Sequence, residues 1–214
     1  MNGPTRPMAR EQARTIASAF APAQRFGNRW DYFYSRSKLG SDPLYPGVCD
    51  ALRADGNSLA YRGVDNDAGK IAQARRGGAN AGLRDATFDC VDLAQGPPAH
   101  RGSVAILDVL QFVPPETQDT IIDRVIAMLE PGALMVIRTG LDDGSARART
   151  TRRIDSLSRA LGWMNAGPKR YPNADALRAR FDAAGLASEF TPLYAGTPFN
   201  NWRVVASYPG NPQR

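Results

Sequence analysis

The sequence is poor in the residues that most often build metal and disulfide sites. Its 214 residues hold one histidine, His100, and two cysteines, Cys49 and Cys90. A single histidine excludes a His-pair metal site, and three Cys/His side chains fall one short of the usual tetrahedral zinc set. Two cysteines do not make a disulfide framework, so both are read as free thiols of a reducing cytoplasm. No run of about 20 apolar residues occurs, which excludes a spanning helix. The first twenty residues are polar and lack the apolar stretch of a secretory leader. Lysine is also scarce, present only at 38, 70 and 169. The net charge of +6 is therefore an arginine charge. It is spread along the chain rather than gathered on one element, so composition explains it better than a nucleic-acid partner does.

What is present is enough for a globular core, at 43% hydrophobic and 22% charged residues. The length suits one domain, divided into an N-terminal helical and aromatic extension at 1–40 and a main domain at 41–214. A short helix is expected at 9–20, before the aromatic cluster Phe26, Trp30, Tyr32, Phe33 and Tyr34. Asp42-Pro43 reads as the start of a helix running to about Ala54. Then the pattern alternates. Strands are expected at 58–64, 86–93, from 102 toward 113, and at 133–140. Helices are expected at 65–76, 114–132, 145–164 and 174–186. The Gly77-Gly78 pair falls in what reads as a loop at 77–85. Ile121, Ile122, Val125, Ile126 and Leu129 follow the 3.6-residue period of the clearest helix. The runs VAIL and LMVI are apolar throughout, as in parallel strands buried on both faces. Two final strands, 188–194 and 201–208, are close enough to pair as an antiparallel hairpin. The expectation is a doubly wound α/β fold with a mostly parallel sheet and an antiparallel strand at one edge.

The ordered segments GVDND, KIAQARR, ATFDCVDL, VAILDVLQFVP, VIAMLEPGALMVIR and AAGL, closed by a β-hairpin, resemble class I S-adenosylmethionine-dependent methyltransferases over about 58–208. LEPGALMVI is similar to that family's turn into its fifth strand. The resemblance implies S-adenosylmethionine as cofactor, a small-molecule methyl acceptor, and the methyltransferase variant of the Rossmann-like fold. It implies that Asp65, after YRGV, accepts the two ribose hydroxyls, and that Asn66 stands where the family often has an apolar residue against the adenine. It implies that Asp92 accepts the adenine amino group, with the Leu93 backbone at the ring edge. Asp108, after VAIL, matches the residue nearest the sulfonium.

Other roles are open to the same side chains. Asp65 suits a helix N-cap, Asp92 a turn, and Asp108 a buried carboxylate in need of a partner. The resemblance also has a gap. The family's first strand ends in a glycine-rich loop followed by a helix, a unit on the order of 20 residues long. Between Arg53 and Tyr61 stand only the seven residues ADGNSLA, with one glycine. One reading is that the unit is lost and the sheet is a strand short. A second makes DYFYS a strand, KLGSDPLYPG the loop and VCDALRA the helix. A third is an unrelated α/β fold.

No catalytic residue is assigned, since methyl transfer depends mainly on holding the nucleophile in line. His100 reads as a surface loop residue and Cys90 as core. The aromatic cluster with Tyr45 suits either a lid or packing of the N-terminal helices. The segment TPFNNW (197–202) suits either turn chemistry or substrate contact. The competing functions are a catalytically inactive scaffold or partner subunit, and a basic RNA-binding module using Arg147, Arg149, Arg152 and Arg153.

Overall fold

The structure, a computed structural model, describes residues 10–21, 29–41, 60–151, 168–194 and 199–210. It falls into two compact units, Met1–Leu93 and Ala94–Arg214. The expected helix at 42–54, residues 42–47 of the substitute glycine loop, Cys49 and most of the helix at 145–164 lie outside the described residues; residues 38–41 of that loop are helical instead.

The first unit contains helices α1 (Arg10–Ala17) and α2 (Trp30–Ser41), strand β1 (Tyr61–Asp65), helix α3 (Ala68–Asn80) and strand β2 (Ala86–Cys90). Ala13 and Ala17, four residues apart on α1, are buried with Leu39 of α2, and Ile16 and Tyr32 pack against them. DYFYS is therefore helical, not a strand. Its aromatic residues are divided, with Tyr32 turned into the helix–helix core and Phe33 exposed. A short 3-10 turn, Ser18–Phe20, follows α1 and fastens it to α3. Arg76 donates to the Ala19 carbonyl, and Asn80 to the Ser18 hydroxyl.

Strands β1 and β2 are parallel, with Asp65 beside Cys90. Helix α3 begins two residues later than a cap at Asp65 allows. Its N-cap is Asp67, whose Oδ1 accepts from Gly69 N at 2.8 Å and Lys70 N at 3.1 Å. The helix also runs through Gly77-Gly78 instead of ending there. The reason is steric. A Cβ on Gly78 would stand 2.9 Å from the Phe88 ring, and one on Gly63 would stand 2.8 Å from it. The two glycines let helix and strand close on Phe88, so here glycine marks close approach rather than a turn.

The second unit contains β3 (Val104–Leu107), α4 (Pro115–Ile126), β4 (Met135–Gly140), a helical segment at 146–151, α5 (Ala174–Ala183), β5 (Ala187–Pro192) and β6 (Asn201–Ser207). The sheet order is β3-β4-β6-β5. β3 and β4 are parallel, while β6 runs antiparallel to both β4 and β5. The antiparallel strand thus lies second from the edge, between β4 and β5, rather than at the edge itself. The terminal hairpin pairs as its short connection requires.

β4 is buried along its whole length. Ile121, Ile122 and Val125 of α4 and Leu177 and Phe181 of α5 are buried in the same unit. Each such side chain contributes about 1.5–3 kcal/mol by leaving water. Asn173 caps α5 by accepting from Ala176 N. Gly185 follows that helix at φ 74°, the left-handed turn that favours glycine.

Among the described residues no strand precedes β1, and the six strands form two sheets. No helix among them is long and apolar enough to cross a membrane.

Candidate functional site

In open parallel α/β sheets, ligands lie outside the carboxyl ends of the strands, where loops free of ladder bonds gather polar groups. Each unit has such a rim.

In the first unit the rim holds four of the five expected cofactor residues. Asp65 is the last residue of β1, and its carbonyl accepts from Val91 N at 3.0 Å, which ties the chain after β2 to the end of β1. Asp92 and Leu93 follow directly, with Leu93 opening a short 3-10 turn. Asp65 Oδ1 accepts from Asp67 N at 2.9 Å, and Oδ2 lies 3.7 Å from Lys70 Nζ. A carboxylate has about four acceptor directions, so this one retains capacity for hydroxyl donors. Asn66 and Asp92 are exposed and Leu93 is half-buried. Cys90 is not core: it is an exposed free thiol whose sulfur lies 3.6 Å from the Asn66 carbonyl.

In the second unit Asp108 directly follows β3. It has a φ of 57°, in a region other residues here leave to glycine. Its N–H donates to the Arg138 carbonyl at 2.9 Å, extending the β3–β4 ladder by one bond. Its carboxylate forms an ion pair with Arg138, a residue 9% exposed. The positive φ ends β3 at Leu107, well short of residue 113, and turns the chain into the 3-10 segment Leu110–Phe112.

That segment holds a group the sequence reading passed over. Gln111 is 7% exposed, and its carbonyl accepts from Lys169 N at 2.7 Å. Residues 168–173 form a strap fastened at both ends. Gln118 Nε2 donates to the Arg170 carbonyl at 2.9 Å, and Asp142 N donates to the Pro172 carbonyl at 2.8 Å. The Tyr171 ring lies directly on Gly140, leaving no room for a Cβ at the end of β4. The available signal was a lone polar residue inside LQFVPP.

A second cluster forms at residues 200–202 of TPFNNW, whose Thr197 and Pro198 lie outside the described residues. Asn200, 1% exposed, donates to the Leu141 carbonyl at 2.8 Å, and its N–H donates to Thr151 Oγ1. Trp202 Nε1 donates to Asn200 Oδ1 and stacks edge-on against Tyr194, over which the Arg147 guanidinium lies at 4.3 Å. For the 200–202 part, these are structural bonds that fix the start of β6. Partial burial works to raise the Asp143 pKa, but hydrogen bonds from Ser145 and Asn200 prevail and hold it below its usual value. Burial and the nearby Asp143 charge push the Tyr194 hydroxyl up, against the opposing pull of Arg147.

Of the arginines considered for RNA, Arg147 is on Tyr194, Arg149 donates to the Gly144 carbonyl, and Arg152 and Arg153 lie outside the described residues. His100 bonds the Ser103 carbonyl at the amino end of β3, the opposite end of that strand from the rim. Among the described residues no group of three or more His, Cys, Asp or Glu side chains could hold a metal ion.

The fold these elements define is that of the class I S-adenosylmethionine-dependent methyltransferases. Magnesium protoporphyrin IX methyltransferase (ChlM) from Synechocystis PCC 6803, solved with bound S-adenosylhomocysteine, is similar at 16% identity and a TM-score of 0.59, covering 91% of this chain and 92% of its own. The DhpI–S-adenosylmethionine–HEP complex aligns at 15% identity and a TM-score of 0.53, over 92% and 93% of the two chains. The N-methyltransferase NodS from Bradyrhizobium japonicum WM9, in complex with S-adenosylhomocysteine, aligns at 14% identity and a TM-score of 0.51, over 92% and 98%. No family model matches the sequence, and no curated protein sequence matches it.

Proposed function

We propose that this chain is a cytoplasmic enzyme that transfers a methyl group from S-adenosylmethionine to a small-molecule acceptor. One observation carries the reading: on a methyltransferase fold, Asp65 ends β1 and Asp92 stands two residues beyond the end of its parallel neighbour β2, and the Val91-to-Asp65 bond holds those ends together. Asp65, with acceptor capacity left on both oxygens, takes the ribose hydroxyls. Asn66 lies along the nucleoside, Asp92 accepts from the adenine amino group, and the Leu93 backbone meets the ring edge. The resemblance to the family assigns Asp108 the place nearest the reacting methyl group. Paired with Arg138, it is suited to fixing the shape of the second unit's rim. The cofactor, when bound, supplies a methyl on a sulfonium sulfur. The chain supplies orientation, the main requirement of an in-line displacement.

The seven residues 54–60 do not supply a glycine-rich loop. Close backbone approach to the cofactor is what such a loop provides, so affinity is expected to be weak. Calorimetric titration with S-adenosylhomocysteine tests the reading. A saturable heat with Kd below about 1 mM, abolished in Asp65→Ala, is expected. No heat at that concentration removes the enzyme and leaves a non-catalytic protein of the same fold.

A further inference from the structure

The strap and Gln111 point to the acceptor. Gln111 is more than nine-tenths buried, so its amide is held in one place. Thr139 Oγ1 lies 2.9 Å from Gln111 Oε1 and 3.0 Å from the Gly140 carbonyl. A hydroxyl has one proton, and the shorter contact gives it to Gln111. That leaves Nε2 outward. This nitrogen donates to no described residue, and it is not among the sealed side-chain nitrogens that lack a partner, so it opens to solvent. A ligand oxygen can take the place of water on that donor, which the buried rest of the side chain holds in one position.

The surroundings set the charge of that oxygen. Lys169 and Arg170, whose N–H groups bond the Gln111 carbonyl, have exposed side chains and pair with no carboxylate among the described residues. On the same rim Asp108 is ion-paired with Arg138, while Asp142 and Asp143 follow the end of β4.

We infer that Gln111 Nε2 holds the methyl acceptor, and that the acceptor presents an anionic oxygen of the carboxylate class. The inference rests on the methyltransferase reading. The step then balances without a base. A carboxylate lone pair forms the O–C bond, the C–S bond breaks, and its electron pair goes to sulfur. An anion and a sulfonium become a neutral ester and a neutral thioether, and no proton is released. That agrees with a rim on which Asp108 is ion-paired and with a histidine placed at the far end of β3.

The test uses the full chain labelled with nitrogen-15 and sodium benzoate as probe. Benzamide, equal in shape and uncharged, is the control. The Gln111 side-chain NH2 signals are identified by their loss in Gln111→Leu. Benzoate is expected to shift them saturably, and benzamide to bind at least roughly tenfold more weakly. Gln111→Glu, isosteric but with an acceptor in place of the donor, is expected to weaken benzoate by a similar factor. The assignment is overturned if benzoate leaves the signals unmoved, if benzamide competes equally, or if the glutamate variant binds benzoate as well. S-adenosylhomocysteine calorimetry on the same sample separates the two claims. Heat with unmoved Gln111 signals sinks the acceptor assignment alone. Moved signals without heat sink methyl transfer and leave a carboxylate site.

Discussion

The two units solve the same packing problem with different means. In the second, β4 has a strand on each side and no exposed residue. In the first, β1 pairs among the described residues with β2 alone, and Tyr61 at its start is 53% exposed. The second unit gains stability from aliphatic side chains buried in bulk. The first relies on one ring, Phe88, gripped between Gly63 and Gly78, and on backbone caps. An α/β half with little sheet to cover is held by fit more than by burial.

The strongest way to break this contrast is to remove one aromatic ring from each unit. Phe181→Ala, at a fully buried site, is expected to cost about 3–5 kcal/mol in urea unfolding. Phe88→Ala, at a half-buried site, is expected to cost about half as much, and equal losses would erase the distinction. Gly78→Ala sharpens it. The methyl gains about 1 kcal/mol of helix propensity but stands 2.9 Å from Phe88. Overpacking of about 1–3 kcal/mol prevails, so thermal unfolding is expected to show net destabilisation; a gain would mean Phe88 is loosely held. Next come the caps. Asp67→Ala and Asn173→Ala each remove a side-chain acceptor from a helix start, one per unit. Each is expected to cost about 1 kcal/mol; a far larger loss at Asp67 would show the first unit to depend on it.

The smallest effect is a pH response confined to the second unit. Asp143 has a folded pKa below its unfolded value of 3.8. Its contribution is therefore complete above that value and lost as pH falls through the folded pKa. An acid titration followed at the Trp202 indole is expected to show this step, and Asp143→Asn to remove it.

The fold was legible where burial follows a period. The face Ile121, Ile122, Val125 placed α4, and the unbroken run 135–137 placed β4. It was misread where one residue type serves two purposes. Gly77-Gly78 resembles a helix stop, but nothing local reveals the Phe88 ring that requires it. Among three acidic or amide residues at 65–67, only coordinates separate the cap, Asp67, from the strand end, Asp65. The aromatic run 30–34 hid a helix in which Tyr32 packs inward while its neighbour Phe33 is exposed. At the candidate site, the positions of Asp65, Asp92 and Asp108 followed from their place after apolar runs. Gln111 did not, because its setting is made by residues 139 and 169, distant in sequence.

The placement of β6 has a consequence for synthesis. β5 leaves the ribosome with its neighbour still unmade, since residues 201–207 must slide between it and β4. The centre of that sheet is thus filled last, and the nascent second unit carries two unsatisfied strand edges until its final stretch arrives.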